Sequence, residues 1–224
     1  MSTAFIAGAS GLVGRSLLAQ LLAAPEYDQV VSLGRRKIAD LAHAKLEQQV
    51  VDFTALDGAV ADFSCDDAFC CLGTTIREAG SREAFRAVDQ AAVLAFAWAA
   101  KRRGARRLFV ITALGADATS RMFYPRVKGE TEAALNVLDF ETLAIFRPSL
   151  LRGQRARTRL GERFMGVALW FAEPLLLGGF RKYRSIEAEV VAGAMLRCSY
   201  GRGGQGLLVF SSDEIQDLGA FEGA

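Results

Sequence analysis

Residues Phe5–Ala23, FIAGASGLVGRSLLAQLLA, set a short apolar run, three spaced glycines and a segment of helical period in immediate succession. That order predicts a buried strand turning sharply into a helix. Within Gly8-Ala9-Ser10-Gly11-Leu12-Val13-Gly14 the first glycine allows the tight turn, and the later two allow close approach of a pyrophosphate and of the sheet. An anion there meets free backbone N–H groups and the positive end of the helix dipole. No Gly-Lys-Ser/Thr follows, so a triphosphate-binding P-loop is not indicated. A dinucleotide is the expected ligand, with Gly8, Ser10, Gly11, Leu12, Val13 and Gly14 as its contacts.

Further along, apolar runs of strand length alternate with longer stretches of helical period, as βαβ units feeding a parallel sheet do. Strands are predicted at Thr3–Ala7, Gln29–Leu33, Gln48–Val51, Ala68–Leu72, Arg107–Ile111, Leu143–Phe146 and Leu207–Phe210. Helices are predicted at Leu12–Ala24, Arg82–Arg103, Pro125–Leu138 and Ile186–Tyr200, with Ser81 and Ser185 as N-caps of the second and fourth. The expected fold class is α/β: one Rossmann-type, doubly wound parallel sheet of about seven strands over residues 1–224, with 152–184 forming a small substrate or lid region. The basic run Arg152–Arg163 reads either as a solvated loop or as a lid contacting an anionic group. The apolar run Phe164–Phe180 reads either as the wall of a ligand pocket or as ordinary core; Glu173 and Pro174 interrupt it, so it is too short to span a membrane.

Composition narrows the function classes. With 27 basic and 25 acidic residues there is no overall field to gather nucleic acid or an anionic membrane. The single histidine, His43, excludes a His-rich metal site and lies in a polar stretch, as a surface residue would. Cys65, Cys70, Cys71 and Cys198 lack the C-x-x-C spacing of zinc or redox sites and are expected to be reduced and mostly buried. The first residues carry no basic segment ahead of an uninterrupted apolar core, so the expected compartment is the cytoplasm.

The end of the second strand decides between the two nicotinamide cofactors. A site preferring NAD usually places a carboxylate there for the ribose hydroxyls, whereas this chain reads VVSLGRRK, with Arg35 and Arg36 at that point. A guanidinium clamps a 2′-phosphate that a carboxylate would repel, so NADP(H) is the expected cofactor. Asp52 and Phe53 of VVDF are expected beside the adenine, and Leu72, Gly73 and Thr74 against the cofactor ribose.

Tyr124-Pro125-Arg126-Val127-Lys128 opens a helical stretch in which Tyr124 and Lys128 share one face. The nearby ammonium and the positive nicotinamide are expected to lower the phenol pKa toward the working range, with Lys128 also holding the nicotinamide ribose. Thr112 ends the fifth strand, where carboxyl ends of strands face the ligand crevice, and its hydroxyl is expected to donate to a substrate carbonyl.

A glycine loop, a Ser/Thr and Y-x-x-x-K in this order resemble the short-chain dehydrogenase/reductase superfamily. GASGLVG, GRRK, VVDF, FCCLGTT, RVKGE and FRPSLL together are similar to the Tat-interacting-protein branch of its atypical members, from about Ala4 through Arg152 and more weakly beyond. The resemblance implies a seven-stranded Rossmann sheet that binds NADPH, cofactor contacts from Gly8, Gly11, Gly14, Arg35 and Arg36, and Thr112, Tyr124 and Lys128 as active residues. Asp89 falls where extended members often carry asparagine. Expected function is an NADP(H)-dependent oxidoreductase acting on a carbonyl or alcohol of a small, partly apolar molecule. A non-catalytic NADPH-sensing adaptor and an epimerase or dehydratase with retained cofactor stand as alternatives. The adaptor would bind another protein through its C-terminal surface, and the helices at Arg82–Arg103 and Pro125–Leu138 allow a homodimer across a two-fold axis.

Overall fold

The computed structural model describes residues 2–39, 41–56, 64–152, 178–202 and 204–220. Strand β1 (Thr3–Ala7) is wholly buried and central, and period-two alternation sends Ala4 and Ile6 to one face and Phe5 and Ala7 to the other. On either side lie β2 (Gln29–Gly34) and β4 (Asp67–Cys70); β3 (Leu46–Val50) pairs outside β2, while β5 (Arg107–Ile111), β6 (Thr142–Arg147) and β9 (Gly206–Ser211) extend the other side. The order β3-β2-β1-β4-β5-β6-β9 is parallel throughout, so every strand ends at the same edge of the sheet.

Helices cover both faces. Leu17, Leu18 and Leu21 of α1 (Leu12–Ala23) pack with Val191 and Met195 of α6 (Ala188–Arg197) and Ile215 of α7 (Ser212–Ala220) on the face of Ile6, Phe69 and Phe109. Phe96, Ala97 and Ala100 of α4 (Val93–Arg102) and Leu135 of α5 (Phe123–Asn136) pack on the face of Phe5, Val31 and Val110. The chain is thus a seven-stranded, doubly wound, Rossmann-like α/β fold. Cross-strand rings lock the first face: Phe69 stacks on Phe109 at 4.8 Å and Phe146 on Phe210 at 5.1 Å.

All seven predicted strands are present, shifted at their ends by no more than two residues. The predicted second helix divides into α3 (Arg82–Arg86), a π-helical segment Ala87–Ala92 and α4, and Ser81 caps it by accepting from Ala84 N–H at 3.0 Å. Ser185 is corrected: α6 begins at Ala188 with Glu187 at the cap position, because Ile186–Glu187 forms a two-residue strand, β8, paired with β7 (Leu151–Arg152). The short α2 (Ile76–Ala79) and α7 were not predicted; α7 follows β9 without a glycine or proline to mark the change. Most of the predicted lid, including residues 153–163 of the basic run and most of the apolar run Phe164–Phe180, lies outside the described residues.

Candidate functional site

Strand order reverses between β2 and β4 on the two sides of β1, and the loops leaving β1 and β4 meet above that point. Gly8 has φ +82°, and a Cβ there would lie 2.5 Å from the Cys71 carbonyl. Gly14 leaves room for the turn itself: a Cβ would stand 2.2 Å from the Gly8 carbonyl oxygen. Gly11 is different. Its added Cβ would meet only that same oxygen, at 3.2 Å, so packing alone does not demand glycine there. Gly11 is exposed at the N-cap of α1, no side chain caps the helix, and no acidic residue lies in its first turn. The orphan N–H groups of that turn and the open side of Gly11 fit the pyrophosphate of a dinucleotide.

Beside this cradle, Arg35 and Arg36 are exposed on the loop leaving β2. Gln48 of β3 holds the loop: its amide oxygen accepts from Ile38 N–H at 2.7 Å and its amide nitrogen donates to the Leu41 carbonyl at 3.0 Å. Asp52 is exposed, and one of its oxygens accepts from both the amide and the hydroxyl of Thr54, at 2.9 and 2.8 Å. Those hydrogen bonds hold its carboxyl below the usual range. Phe53 packs partly against the core.

On the far side of the switch point, α5 presents Tyr124, Lys128 and Glu132 at four-residue intervals. Its cap position is Met122, so Tyr124 and Pro125 lie in the first turn, where proline loses no intrahelical bond. Tyr124 is half-buried with its ring 5.4 Å from that of Phe85. Lys128 is buried, and its ammonium lies 2.6 Å from Asp89 Oδ1. The other Asp89 oxygen accepts from Thr74 N–H at 2.8 Å, and a Cβ on Gly73 would be 3.8 Å from Lys128 Nζ. The structure thereby joins Gly73, Thr74, Asp89 and Lys128 in one cluster, with Tyr124 one helical turn before Lys128.

Of the influences expected at Tyr124, the pull of Lys128 by itself does not lower the pKa. Burial pushes the phenol up, Lys128 pulls it down, and Asp89 pushes it up again, leaving it above its ordinary value. Thr112 also differs from expectation. Its hydroxyl donates to Glu132 Oε1 at 2.6 Å, and Arg147, at the end of β6, grips both Glu132 oxygens at 3.0 and 2.5 Å. With its one proton so placed, Thr112 retains only acceptor capacity toward a ligand. Glu132 and Arg147 were missed at the sequence level, although Glu132 follows Lys128 by one helical turn and Arg147 is the charged end of an otherwise buried strand.

The four cysteines are free thiols, three of them buried. Among the described residues no cluster of His, Cys, Asp or Glu could hold a metal ion, and no helix is long and apolar enough to cross a membrane.

Comparison with known proteins agrees with this architecture. A family described as NAD(P)H-binding matches residues 8–140. The protein HTATIP2 of Rattus norvegicus is 41% identical over 161 residues, which span 70% of this chain and 66% of that one, just under two thirds of its length. Protein FMP52, mitochondrial, of Coccidioides immitis is 30% identical over 99% of this chain and 98% of its own. That of Eremothecium gossypii is 36% identical over 68% and 67%. The expectation of a cytoplasmic protein is overturned by the FMP52 relatives, which are named as mitochondrial. Among solved structures, MoeE5 in complex with UDP-glucose and NAD superposes with TM-score 0.68 at 15% identity, covering 98% of this chain and 81% of that one. Human epimerase family protein SDR39U1 with NADPH gives 0.62 at 17%, covering 93% and 74%. Identities this low show the fold alone.

Proposed function

We propose that this chain, which belongs to the NAD(P)H-binding family, is an NADP(H)-dependent oxidoreductase of the Tat-interacting-protein-like branch of the atypical short-chain dehydrogenases. Its substrate is a carbonyl or alcohol on a small, partly apolar molecule. The observation that carries this reading is the place of Lys128 and Tyr124: one turn apart on α5, with the ammonium next to Gly73 on the loop leaving β4, beside the glycine cradle. When bound, the reduced nicotinamide supplies a hydride. The chain's own part is to hold the dinucleotide on the Gly8–Gly14 turn and to deliver a proton from Tyr124 to the substrate oxygen. Preference for NADP(H) is supported by Arg35 and Arg36 standing exposed at the end of β2, on a loop fixed by Gln48, with no carboxylate at that strand end.

One observation favours a second reading, an NADPH-sensing adaptor that does not turn over. Thr112 and Lys128 are both engaged by buried carboxylates, Glu132 and Asp89. The Tyr124→Phe variant separates the two. Enzyme chemistry requires that NADPH consumption over a panel of aldehydes and ketones be lost while NADPH affinity is kept. Unchanged consumption, or none in the unsubstituted protein, would sink the oxidoreductase reading. A retained-cofactor epimerase would instead carry nicotinamide through purification and consume none.

A further inference from the structure

We propose that Arg184 is a binding residue for an oxyanion, a phosphate or carboxylate group carried by the substrate, at the carboxyl ends of β6 and β9. Only the assignment of that anion to the substrate rests on the oxidoreductase reading.

The backbone of Arg184 is fixed at the edge where the seven strands end. Its carbonyl accepts from the Ser149 hydroxyl, two residues beyond Arg147 at the end of β6. The same hydroxyl lies 2.9 Å from that of Ser212, the first residue of α7 after β9. Ile186 N–H donates to the Leu150 carbonyl at 3.0 Å, and β8 continues from there alongside β7. Arg184 N–H closes the preceding turn on the Arg181 carbonyl, also at 3.0 Å.

The side chain, by contrast, is unspent. Its Nε is buried and has no hydrogen-bond partner among the described residues. Arg86, Arg107, Arg126, Arg147 and Arg181 each meet a carboxylate at 2.5 to 3.7 Å, whereas among the described residues no ion pair engages Arg184. Helix α7 packs on the 3-10 turn Gly178–Tyr183 just before Arg184, but its carboxylates are taken. Asp213 and Glu214 accept from the Ser211 hydroxyl at 2.6 and 2.7 Å, and Asp217 accepts from Arg181 at 2.9 Å.

A guanidinium cannot shed its proton to escape burial, so an unpaired N–H here lowers stability until an acceptor arrives. Its planar fork matches the oxygens of a carboxylate or phosphate, which names the ligand class. Arg184→Met keeps the aliphatic stem and removes the orphaned donor. If the guanidinium serves a ligand, the protein without anions should lose nothing by the change.

The test uses the full-length protein saturated with NADPH, so that the glycine cradle is filled. Inorganic phosphate and 13C-labelled acetate are titrated in turn, and binding is read from broadening of the free-anion 31P and 13C resonances. At least one is expected to bind, and Arg184→Met to weaken it about tenfold or more, the loss of a charge-assisted hydrogen bond. The urea midpoint of the variant without anions is expected to be unchanged or raised. Binding of neither anion to the unsubstituted protein overturns the proposal, and so does equal affinity in the variant. A lowered urea midpoint, or a variant that does not fold, assigns Arg184 to the fold and overturns it as well. Absence of carbonyl reduction would leave these titrations unchanged, so the proposal and the oxidoreductase reading fail separately.

Discussion

Thr112 donates its hydroxyl proton to Glu132 across 2.6 Å, joining the end of β5 to the middle of α5. Arg147 closes on the same carboxylate from the end of β6, so three elements around the crevice share one buried anion. Removing that anion leaves a guanidinium without its main partner. Glu132→Ala is therefore expected to lower unfolding free energy by about 2–3 kcal/mol, less than for a fully buried pair because Arg147 is partly exposed. Thr112→Val, which removes one neutral donor, should lose about 1 kcal/mol. Urea unfolding of both variants checks the order, and a Thr112→Val loss larger than that of Glu132→Ala contradicts it.

The glycines of the first turn should separate into two kinds. A Cβ at Gly14 collides with the Gly8 carbonyl oxygen at 2.2 Å, which backbone must move to relieve. Gly14→Ala is expected to lower both the melting temperature and NADPH affinity. Gly11→Ala meets no contact under 3 Å and should fold with little change, since alanine tolerates a cap position at a loss of about 1 kcal/mol or less. Its NADPH affinity should nevertheless fall tenfold or more if the pyrophosphate lies against that face. Melting curves read with fluorescence titrations distinguish the cases; equal affinity in Gly11→Ala and the unsubstituted protein removes the pyrophosphate from Gly11.

Cofactor choice should depend on the loop after β2 at two levels. The double change Arg35→Ala with Arg36→Ala is expected to weaken NADPH binding by about ten- to hundredfold, the range of one or two lost charge-assisted hydrogen bonds, and to leave NADH binding nearly unchanged. Gln48→Ala touches neither arginine but releases the loop from the amides that fix Ile38 and Leu41. It should narrow the NADPH/NADH ratio by a smaller factor. A parallel loss of both cofactors in the arginine variant would place those side chains away from the 2′-phosphate.

How much of this was legible in the sequence follows from the range of each interaction. β1, the glycine turn and α1 are local: apolar alternation, a glycine at positive φ and a helical period occupy 21 consecutive residues. The parallel, doubly wound class needed only the alternation of elements, whereas the order of the strands comes from the structure. Tyr124 and Lys128 were visible as a same-face pair for the same reason. What escaped depends on partners distant in the chain. Asp89 meets Lys128 across 39 residues, and burial of Tyr124 among elements distant in the chain, more than Asp89, reverses a sign that local spacing alone gave. Glu132 reaches Thr112 across 20, which changes a donor into an acceptor. Ser185 looked like a cap because the β7–β8 pairing that displaces the helix start is set by residues 151–152.

The resting protonation of Tyr124 fixes the pH dependence of turnover. Burial and Asp89 raise the phenol above its ordinary value, against the pull of Lys128, so the proton-bearing form persists across the neutral range. Reduction of a carbonyl consumes that proton, and its kcat/KM should stay level from pH 6 through 9 and fall only as pH passes the raised value. Oxidation of an alcohol needs the deprotonated form and should climb over the same interval, about tenfold per pH unit while the phenolate is scarce. Replacing Asp89 by Asn leaves the Lys128 charge uncompensated, which should bring the fall in reduction to lower pH and raise oxidation near neutrality. Initial rates of NADPH consumption between pH 6 and 11, with the most active carbonyl of the panel, give the first profile. A reduction limb that already declines below pH 8 in the unsubstituted protein would mean that Tyr124 is held as phenolate, and that burial and Asp89 do not prevail over Lys128.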